Sequence, residues 1–341
     1  MTAQPDAAQP DAAASSAQPD AAASPPEPDS APPSSAERSR LADVPLESPF
    51  ASGGLVEVVQ RRYLLKLLVQ KQISARYQGS LLGLFWTYVQ PLVRFSMYFF
   101  VIGLVLGLHK DFPNYAIHMF AALVGVHFFT ESFQLGTRSI VQNKSLVRKM
   151  AMPRELFPVA AVFVAMVDSF PQLVILLIGS VASGWTPDPV GLLSGLLGIL
   201  IVFFLGTALA LLFAGFNVFF RDFQNVVSTF TLFTHWIVPM IYPFERLSTA
   251  LLDHPKIYAL YMCNPLTEAV VLLQRCFWIP TCLGKTVSGT RFPDNANDVG
   301  FPFLPEHYLG LGFVMLAFSM VLLAFCQLVF RRVEGRFAER L

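Results

Sequence analysis

Long apolar runs, separated by short polar or proline-containing breaks, fill most of the chain after residue 83. A helix needs about 20 consecutive apolar residues to cross the hydrocarbon core of a bilayer. Runs of this length predict an all-α, polytopic membrane protein with six transmembrane helices. The predicted spans are about 84–108, 115–135, 156–183, 190–220, 226–242 and 308–330.

A different pattern precedes the first span, over residues 55–78, where leucines mix with cations such as Arg61, Arg62 and Lys66. An apolar stripe flanked by cations is typical of a helix that lies in the membrane interface, with its basic face toward anionic headgroups. The segment therefore predicts an N-terminal amphipathic interface helix. The alternative is an ordinary solvated helix.

Residues 1–54 are rich in Ala, Pro, Ser, Gln and Asp, with near-repeats of Gln-Pro-Asp-Ala-Ala. Such a composition cannot bury enough apolar area to offset the chain entropy lost on folding. We expect a disordered cytoplasmic tail, followed by one transmembrane domain over residues 55–341.

The segment 244–307, between the fifth and sixth spans, is semi-polar and broken by several prolines. Its middle, 257–279, is apolar enough to enter the bilayer but contains polar residues, which favours re-entrant gate helices followed by an external loop. A true seventh span is the alternative, and it would place the C-terminus outside. Cys263, Cys276 and Cys282 fall here, either as isolated thiols or with two of them bridged.

The cations are unevenly divided between the two sides of the predicted bundle. Lys and Arg cluster in residues 61–76, in 138–154, at Arg221 and after residue 330, whereas the short opposite loops contain only Lys110. Because cytoplasmic loops carry the excess of Lys and Arg, these clusters predict the cytoplasmic side. With six spans, both termini are expected in the cytoplasm of a bacterial cell, and the protein in its inner membrane.

Composition supports a membrane protein and argues against large soluble domains. Of the 341 residues, 54% are hydrophobic and only 14% are charged, against about 25% charged residues in soluble domains. The sequence shows no arrangement typical of a catalytic nucleophile, a metal-ligand set or a complete phosphate-binding loop. We therefore expect a chain that is not an enzyme and holds no cofactor of its own.

Three charges lie within the predicted spans: Arg94, Glu131 and Asp168. Charges inside a membrane are expensive unless they are paired or hydrated. One interpretation is a structural ion pair of Arg94 with Asp168 or Glu131. The other is that Arg94 meets an anionic substrate group.

Aromatic residues crowd the first span and the end of the fifth. They fit interfacial belts and helix packing, or flat apolar faces along which sugar rings slide. The candidate channel residues are Phe85, Trp86, Tyr88, Phe95, Tyr98, Phe99, Trp236 and Tyr242.

Several short motifs together resemble the transmembrane subunits of polysaccharide-exporting ABC transporters, which export O-antigen, teichoic acid, capsule or mycobacterial galactan. The resemblance covers the chain from about residue 55 to its end. The motifs are residues 76–86 (RYQGSLLGLFW), 90–92 (QPL), Asn143, Leu146, Lys149, 153–158 (PRELFP), 220–222 (FRD) and 264–266 (NPL).

The resemblance implies a homodimeric pore with two copies of a separate ATPase subunit that binds ATP and Mg. It also implies a coupling helix between spans two and three, and two gate helices at the external mouth after span five. The implied substrate is a glycan on a polyprenyl pyrophosphate lipid. The Ala- and Pro-rich tail is typical of actinobacterial proteins, which favours a cell-wall galactan.

On this basis we assign candidate sites by residue. The anionic head of the substrate is expected to meet a basic rim at the cytoplasmic mouth, formed by Arg61, Arg62, Arg76 and Arg94. Coupling to the ATPase is assigned to Gln142, Asn143, Lys144, Leu146, Arg148 and Lys149. The external gate is assigned to Tyr258, Tyr261, Asn264, Pro265 and Glu268.

Two other classes of function fit the same pattern less well. One is an ABC permease of the same build that exports a drug or a simple lipid, without a polysaccharide. The other is a membrane-embedded enzyme, which needs a catalytic loop at one membrane face that the sequence does not show.

Overall fold

The computed structural model describes residues 54–78, 85–107, 113–149, 152–251, 253–287 and 290–337. The predicted tail up to residue 53 lies outside these residues, as do Lys110, Met150 and positions 79–84 of the motif before span one.

Regular structure in this part of the chain is helical apart from one antiparallel hairpin, which confirms the predicted all-α class. The helices are α1 (Leu55–Gln60), α2 (Arg62–Tyr77), α3 (Trp86–Tyr98), α4 (Tyr115–Gln142), α5 (Lys144–Lys149), α6 (Leu156–Ala182), α7 (Pro189–Phe219), α8 (Phe223–Ile237), α9 (Phe244–Ala250), α10 (Pro255–Met262), α11 (Pro265–Phe277), α12 (Ile279–Cys282) and α13 (Tyr308–Glu334). A π-helical stretch (Phe99–Val105) continues α3, a 3-10 turn (Ala296–Asp298) precedes α13, and the hairpin pairs β1 (Thr286–Val287) with β2 (Thr290–Arg291).

Among the described residues, five helices are long and apolar enough to cross a membrane. They correspond to predicted spans one to four and six, and the protein is a multi-pass membrane protein. Their bounds are Trp86–Val105, Tyr115–Gln142, Leu156–Ala182, Pro189–Phe219 and Tyr308–Glu334.

The predicted fifth span is shorter in the structure than the sequence pattern indicates. Helix α8 has 15 residues, or about 22 Å at the helical rise, which falls short of a hydrocarbon core about 30 Å thick. It ends where Val238 adopts an extended conformation, as expected for a residue that precedes proline. A complete crossing by this segment stays a prediction.

The core forms where α4 and α7 approach each other closely. A Cβ atom at Gly136 of α4 would lie only 2.3 Å from the Cβ of Ala210 on α7. Similarly, a Cβ at Gly198 of α7 would lie 2.8 Å from the carbonyl oxygen of Ala269 on α11. Small residues let helix backbones pack closely in a membrane, where apolar burial alone does not drive association.

The segment predicted to contain gate helices breaks into short helices, α9 to α12. It is not one continuous helix, because α10 ends at Met262 and α11 begins at Pro265; its re-entrant course stays a prediction. The side chain of Asn264 caps α11 by accepting a hydrogen bond from the Leu266 amide at 3.1 Å, and Pro265 occupies the first turn, where its missing N–H is not needed. Helix α11 is buried against α4, α7 and α13, whereas α10 is mostly exposed.

Helix α2 packs along the first half of α6. Leu68 is buried in a cluster with Phe157 and Ala160, and two turns later Arg76 forms an ion pair with Asp168. Both helices therefore run side by side in the same direction over this length. This packing brings the C-terminal cation of α2 to the middle of α6.

Candidate functional site

A cluster of charged residues joins α2, α4 and α6. The guanidinium of Arg76 forms an ion pair with the buried carboxylate of Asp168, and its second terminal nitrogen lies 3.4 Å from Oε1 of Glu131. Asp168 is 8% exposed, so this carboxylate depends on a nearby cation, because burial penalises an uncompensated charge.

The predicted ion pair between Arg94 and these carboxylates is not the arrangement in the structure. Arg94 on α3 instead donates a hydrogen bond to Nδ1 of His127 at 3.1 Å. The ring nitrogen is the acceptor, because a guanidinium group can only donate. His127 lies one turn before Glu131 on α4. The cause is the packing of α2 along α6, which brings Arg76 to the carboxylates. Sequence spacing contains no information on this packing.

These residues line one cavity of about 440 Å³. It brings together the predicted site residues Arg76, Arg94, Trp86, Glu131 and Asp168. His127, Thr87, Gln90, Pro91 and Gln172 complete the lining, and sequence reasoning had assigned none of them to a site. Gln172 is the clearest omission, because its amide is buried and has no hydrogen-bond partner among the described residues.

The other predicted cations, Arg61 and Arg62, do not reach this cavity. Arg61 pairs with Glu57 at 2.7 Å, one turn earlier. Arg62 is exposed and lines a separate groove beside α6. The predicted basic rim is therefore divided between two places.

A second cavity, of about 820 Å³, opens between α3, α4 and α8. It shares Arg94, His127 and Glu131 with the first cavity, so the two are adjacent. Tyr98 and Trp236 contribute aromatic faces to its wall.

Further hydrogen-bonding groups line the wall of this second cavity. They include the amide of Gln134, which donates to the hydroxyl of Thr231 at 2.7 Å. The wall therefore combines flat apolar surfaces with groups that can bind hydroxyls.

The eight predicted channel aromatics do not form a single line. Phe95 and Phe99 are half-buried against the core, with Phe95 edge-on to Phe120 at 4.9 Å between ring centroids. Tyr242 donates to the carbonyl oxygen of Ile237 at 3.0 Å and is half-buried. Phe85 is exposed, Tyr88 is half-buried, and neither lines the two cavities.

The predicted coupling segment forms the end of α4 and the short helix α5. Its charged residues, Lys144, Arg148 and Lys149, are exposed, as is Gln142. Leu146 is half-buried in the hydrophobic cluster of Ile140 and Phe157, and Asn143 donates to the carbonyl oxygen of Ser139 at 2.8 Å.

The predicted gate residues lie on α10 and at the start of α11. Glu268 is fully buried, and neither of its carboxyl oxygens has a hydrogen-bond partner within the described residues. Tyr258 and Tyr261 on α10 are half-buried. Asn264 and Pro265 begin α11 as described above.

A buried ion pair that the sequence did not indicate holds α11 in place. Arg275, fully buried, donates to both carboxylate oxygens of Asp188 at 3.0 and 2.9 Å and to the side-chain oxygen of Asn297 at 3.0 Å. Burial raises the pKa of Asp188, but hydrogen bonds from Arg275 and from the Gly191 amide outweigh it and lower the pKa below its ordinary value.

The cysteines of this region are not bridged in the structure. Cys263 is exposed, whereas Cys276 and Cys282 are buried, and all are free thiols. The alternative of a disulfide between two of them is therefore not the arrangement that the structure shows.

Comparison with known proteins identifies the family. The sequence pattern of the ABC-2 type transporters matches residues 63–278, more than half of the chain. This chain belongs to the ABC-2 type transporter family. The matched part of the transporter begins in α2 and ends just after α11, so it contains both cavities, the coupling segment and most of the predicted gate.

Individual relatives of the transporter carry a more specific name. An O-antigen export system permease protein RfbA of Myxococcus xanthus is 30% identical over 223 residues, which cover 65% of this chain and 83% of the relative. Two proteins of the same name from Klebsiella pneumoniae are 25% and 24% identical over 185 and 220 residues, covering 68% and 80% of their lengths.

Proposed function

We propose that this transporter is the membrane subunit of an ATP-driven exporter that moves a polysaccharide, carried on a polyprenyl pyrophosphate lipid, out of the cytoplasm. The names of its O-antigen export relatives support the substrate class. The observation that carries the proposal is the pair of adjacent cavities that share Arg94, His127 and Glu131.

The first cavity suits the charged end of such a substrate. Arg76 is balanced by Asp168 and Glu131 in the structure. An incoming pyrophosphate would replace these carboxylates as the partner of Arg76, since guanidinium groups bind phosphate oxygens in the same forked geometry. Arg94 lies at the boundary with the second cavity and supplies a further cation.

The second cavity suits the sugar chain. Tyr98 and Trp236 offer ring faces, and the Gln134–Thr231 pair offers hydrogen bonds, without a deep closed pocket that would retain one sugar. We propose a homodimer in which a second copy closes this side and completes the pore. The composition of residues 1–54 favours a cell-wall galactan as the polymer.

The partner in this scheme is an ATPase subunit in two copies, which binds ATP and Mg and acts through α5. Its closure would push on the coupling segment and on α2, and so change the opening between α2, α3 and α6. Rigid movements of helices around a fixed site are the usual form of such transitions. The transporter itself, with both termini in the cytoplasm, would supply the passage and no catalysis.

The first test concerns Arg76. We expect Arg76→Gln to lower export roughly tenfold to hundredfold, because a hydrogen-bonded charge of this kind contributes about 1.5–3 kcal/mol. Lys71→Gln, an exposed cation of α2 that does not line the first cavity, is the matched control and should export normally. Export is measured as surface glycan per assembled transporter.

The double variant Arg76→Gln/Asp168→Asn separates substrate contact from structural pairing. It removes both charges of the ion pair, so assembly should recover while export remains low. If export returns to the level of the unmodified transporter, Arg76 serves only to neutralise Asp168 and the anion contact is wrong.

The second test concerns the coupling segment. We expect Arg148→Glu/Lys149→Glu to reduce both copurification of the ATPase subunit and export by roughly tenfold or more. The reversed charges would repel the ATPase surface that the native cations are proposed to attract, and like charges at an interface cost several kcal/mol. The control is Arg331→Glu/Arg332→Glu, which reverses two exposed cations that neighbour each other at the end of α13. Lys144→Glu should add to the loss. Normal assembly and export in the first variant would show that α5 does not couple to the ATPase.

A further inference from the structure

A groove of about 650 Å³ lies between α2 and α6 and reaches inward to α4, α7 and α11. Its wall is almost entirely apolar. The hydroxyl of Ser169, one of its few polar groups, donates back to the carbonyl oxygen of Ala165 at 2.9 Å and is therefore satisfied within α6. Leu273 of the buried helix α11 contributes to the inner end.

One rim of the groove is basic. Arg62, Lys66 and Gln70 line it at intervals of four residues on α2, so they share one face of the helix. Arg62 and Lys66 are exposed, and neither forms an ion pair within the described part of the chain. Two unpaired cations beside an apolar groove are complementary to an amphiphile with an anionic head.

The length of the groove matches one leaflet of a bilayer. Along α6 it runs from Phe163 to Leu173, which is about 15 Å at the helical rise. This is half of a hydrocarbon core roughly 30 Å thick. An extended acyl chain whose headgroup lies at Arg62 and Lys66 would therefore run between α2 and α6 toward Leu273 at the inner end of the groove.

The apolar wall and the two cations at its rim favour a phospholipid as the occupant. A polyprenyl carrier is a poor match, because its chain is much longer than one leaflet is deep. A single acyl chain fits the length of the groove.

We propose that this groove binds an anionic phospholipid, with one acyl chain between α2 and α6 and the phosphate at Arg62 and Lys66. The lipid fills the space between α2, which carries Arg76, and the body of the bundle. It is a component of the membrane and distinct from the exported substrate. The proposal does not depend on the identity of that substrate.

Photolabelling tests the proposal on the full-length chain assembled with its ATPase partner in phosphatidylcholine nanodiscs. The probe is phosphatidylglycerol with a diazirine in one acyl chain, compared with phosphatidylcholine that carries the same chain. We expect the anionic probe to label Met166, Val167 and Phe170 more strongly than the neutral probe. Labels are located by peptide mass spectrometry.

Charge variants provide the control for the headgroup contact. Arg62→Glu/Lys66→Glu should lower labelling of the groove by phosphatidylglycerol about tenfold, whereas Lys71→Glu, on α2 but outside the groove, should leave it unchanged. Val167→Trp, which narrows the groove without a change in charge, should abolish labelling inside it. Val167→Trp tests lipid binding in the groove even if the charge reversal prevents assembly.

Four results would overturn the proposal. Equal labelling by the two probes, or equal anionic labelling of Val321 on the exposed face of α13, would indicate ordinary surrounding lipid. Labelling that is unaffected by both Arg62→Glu/Lys66→Glu and Val167→Trp would place the lipid elsewhere. Displacement of the probe by added polyprenyl phosphate would assign the groove to the lipid carrier.

Discussion

Arg275→Met should lower the melting temperature of the transporter by roughly 4–7 °C. Removal of one partner from a buried ion pair costs about 3–5 kcal/mol. At an unfolding entropy of about 2.1 cal/mol/K per residue, each kcal/mol corresponds to about 1.4 °C in a chain of 341 residues. Arg275 is fully buried and is the cation that binds both oxygens of Asp188. Without it, the Asp188 carboxylate faces the end of α11 with no compensating charge.

The control for this prediction is the exposed pair Arg291–Asp294, whose nitrogen and oxygen are 3.0 Å apart. Arg291→Met should change stability by at most about 1 kcal/mol, since exposed ion pairs are solvated and screened. Both variants are compared by thermal unfolding of purified protein. Similar melting temperatures for the two would show that the Arg275 pair does not hold α11.

Acidification should weaken the same contact in the unmodified protein. The pKa of Asp188 is lowered in the folded state, so its contribution to stability is present above its ordinary pKa and lost as the pH falls through the folded pKa. The difference in melting temperature between the unmodified protein and Arg275→Met should therefore shrink in that acidic range. It should remain constant near neutral pH.

Gly136→Val should prevent assembly of the bundle, and Gly136→Ala should destabilise it by about 1–3 kcal/mol. A Cβ atom at this position would lie 2.3 Å from the Cβ and 2.9 Å from the Cα of Ala210. The second atom belongs to the backbone, so relief requires α4 and α7 to move apart along their whole contact. Yield of monodisperse protein and its melting temperature are the measurements.

Two further variants connect this effect with the helix contact. Ala210→Gly in the Gly136→Ala background should restore part of the stability, because it removes one of the two clashing atoms. A double-mutant cycle of the two substitutions gives the coupling energy between the positions. Gly310→Ala in α13, where the new Cβ would lie 3.9 Å from the Cβ of His307, should not destabilise the protein. Equal effects of Gly136→Ala and Gly310→Ala would exclude close packing as the cause.

Local sequence patterns were sufficient for the features that depend on neighbouring residues. Apolar runs of sufficient length predicted five helices that the structure also has, because lipid requires the backbone to satisfy its own hydrogen bonds within each segment. Pro265 and Asn264 likewise marked the start of α11, since a cap and a first-turn proline act within a few residues.

Features that depend on the direction of a helix in space were less well predicted. The predicted fifth span is only 15 residues long as α8, since Val238 and Pro239 end it early. The aromatic residues of spans one and five were grouped by type, yet Tyr98 and Trp236 line the second cavity whereas Phe95 and Phe99, half-buried against the core, do not. Residue type does not specify which side of a helix meets the bundle.

Hydropathy and short motifs are properties of local segments, so they were enough to identify a helical membrane protein of a recognisable transporter type. The packed helices were needed to show that Arg76, rather than Arg94, balances Asp168, and that Arg275 reaches Asp188. Ion pairs between distant segments depend on how helices pack, and many pairings of the same charges are compatible with one sequence. The packing of α2 along α6 and of α11 inside the bundle selects among them.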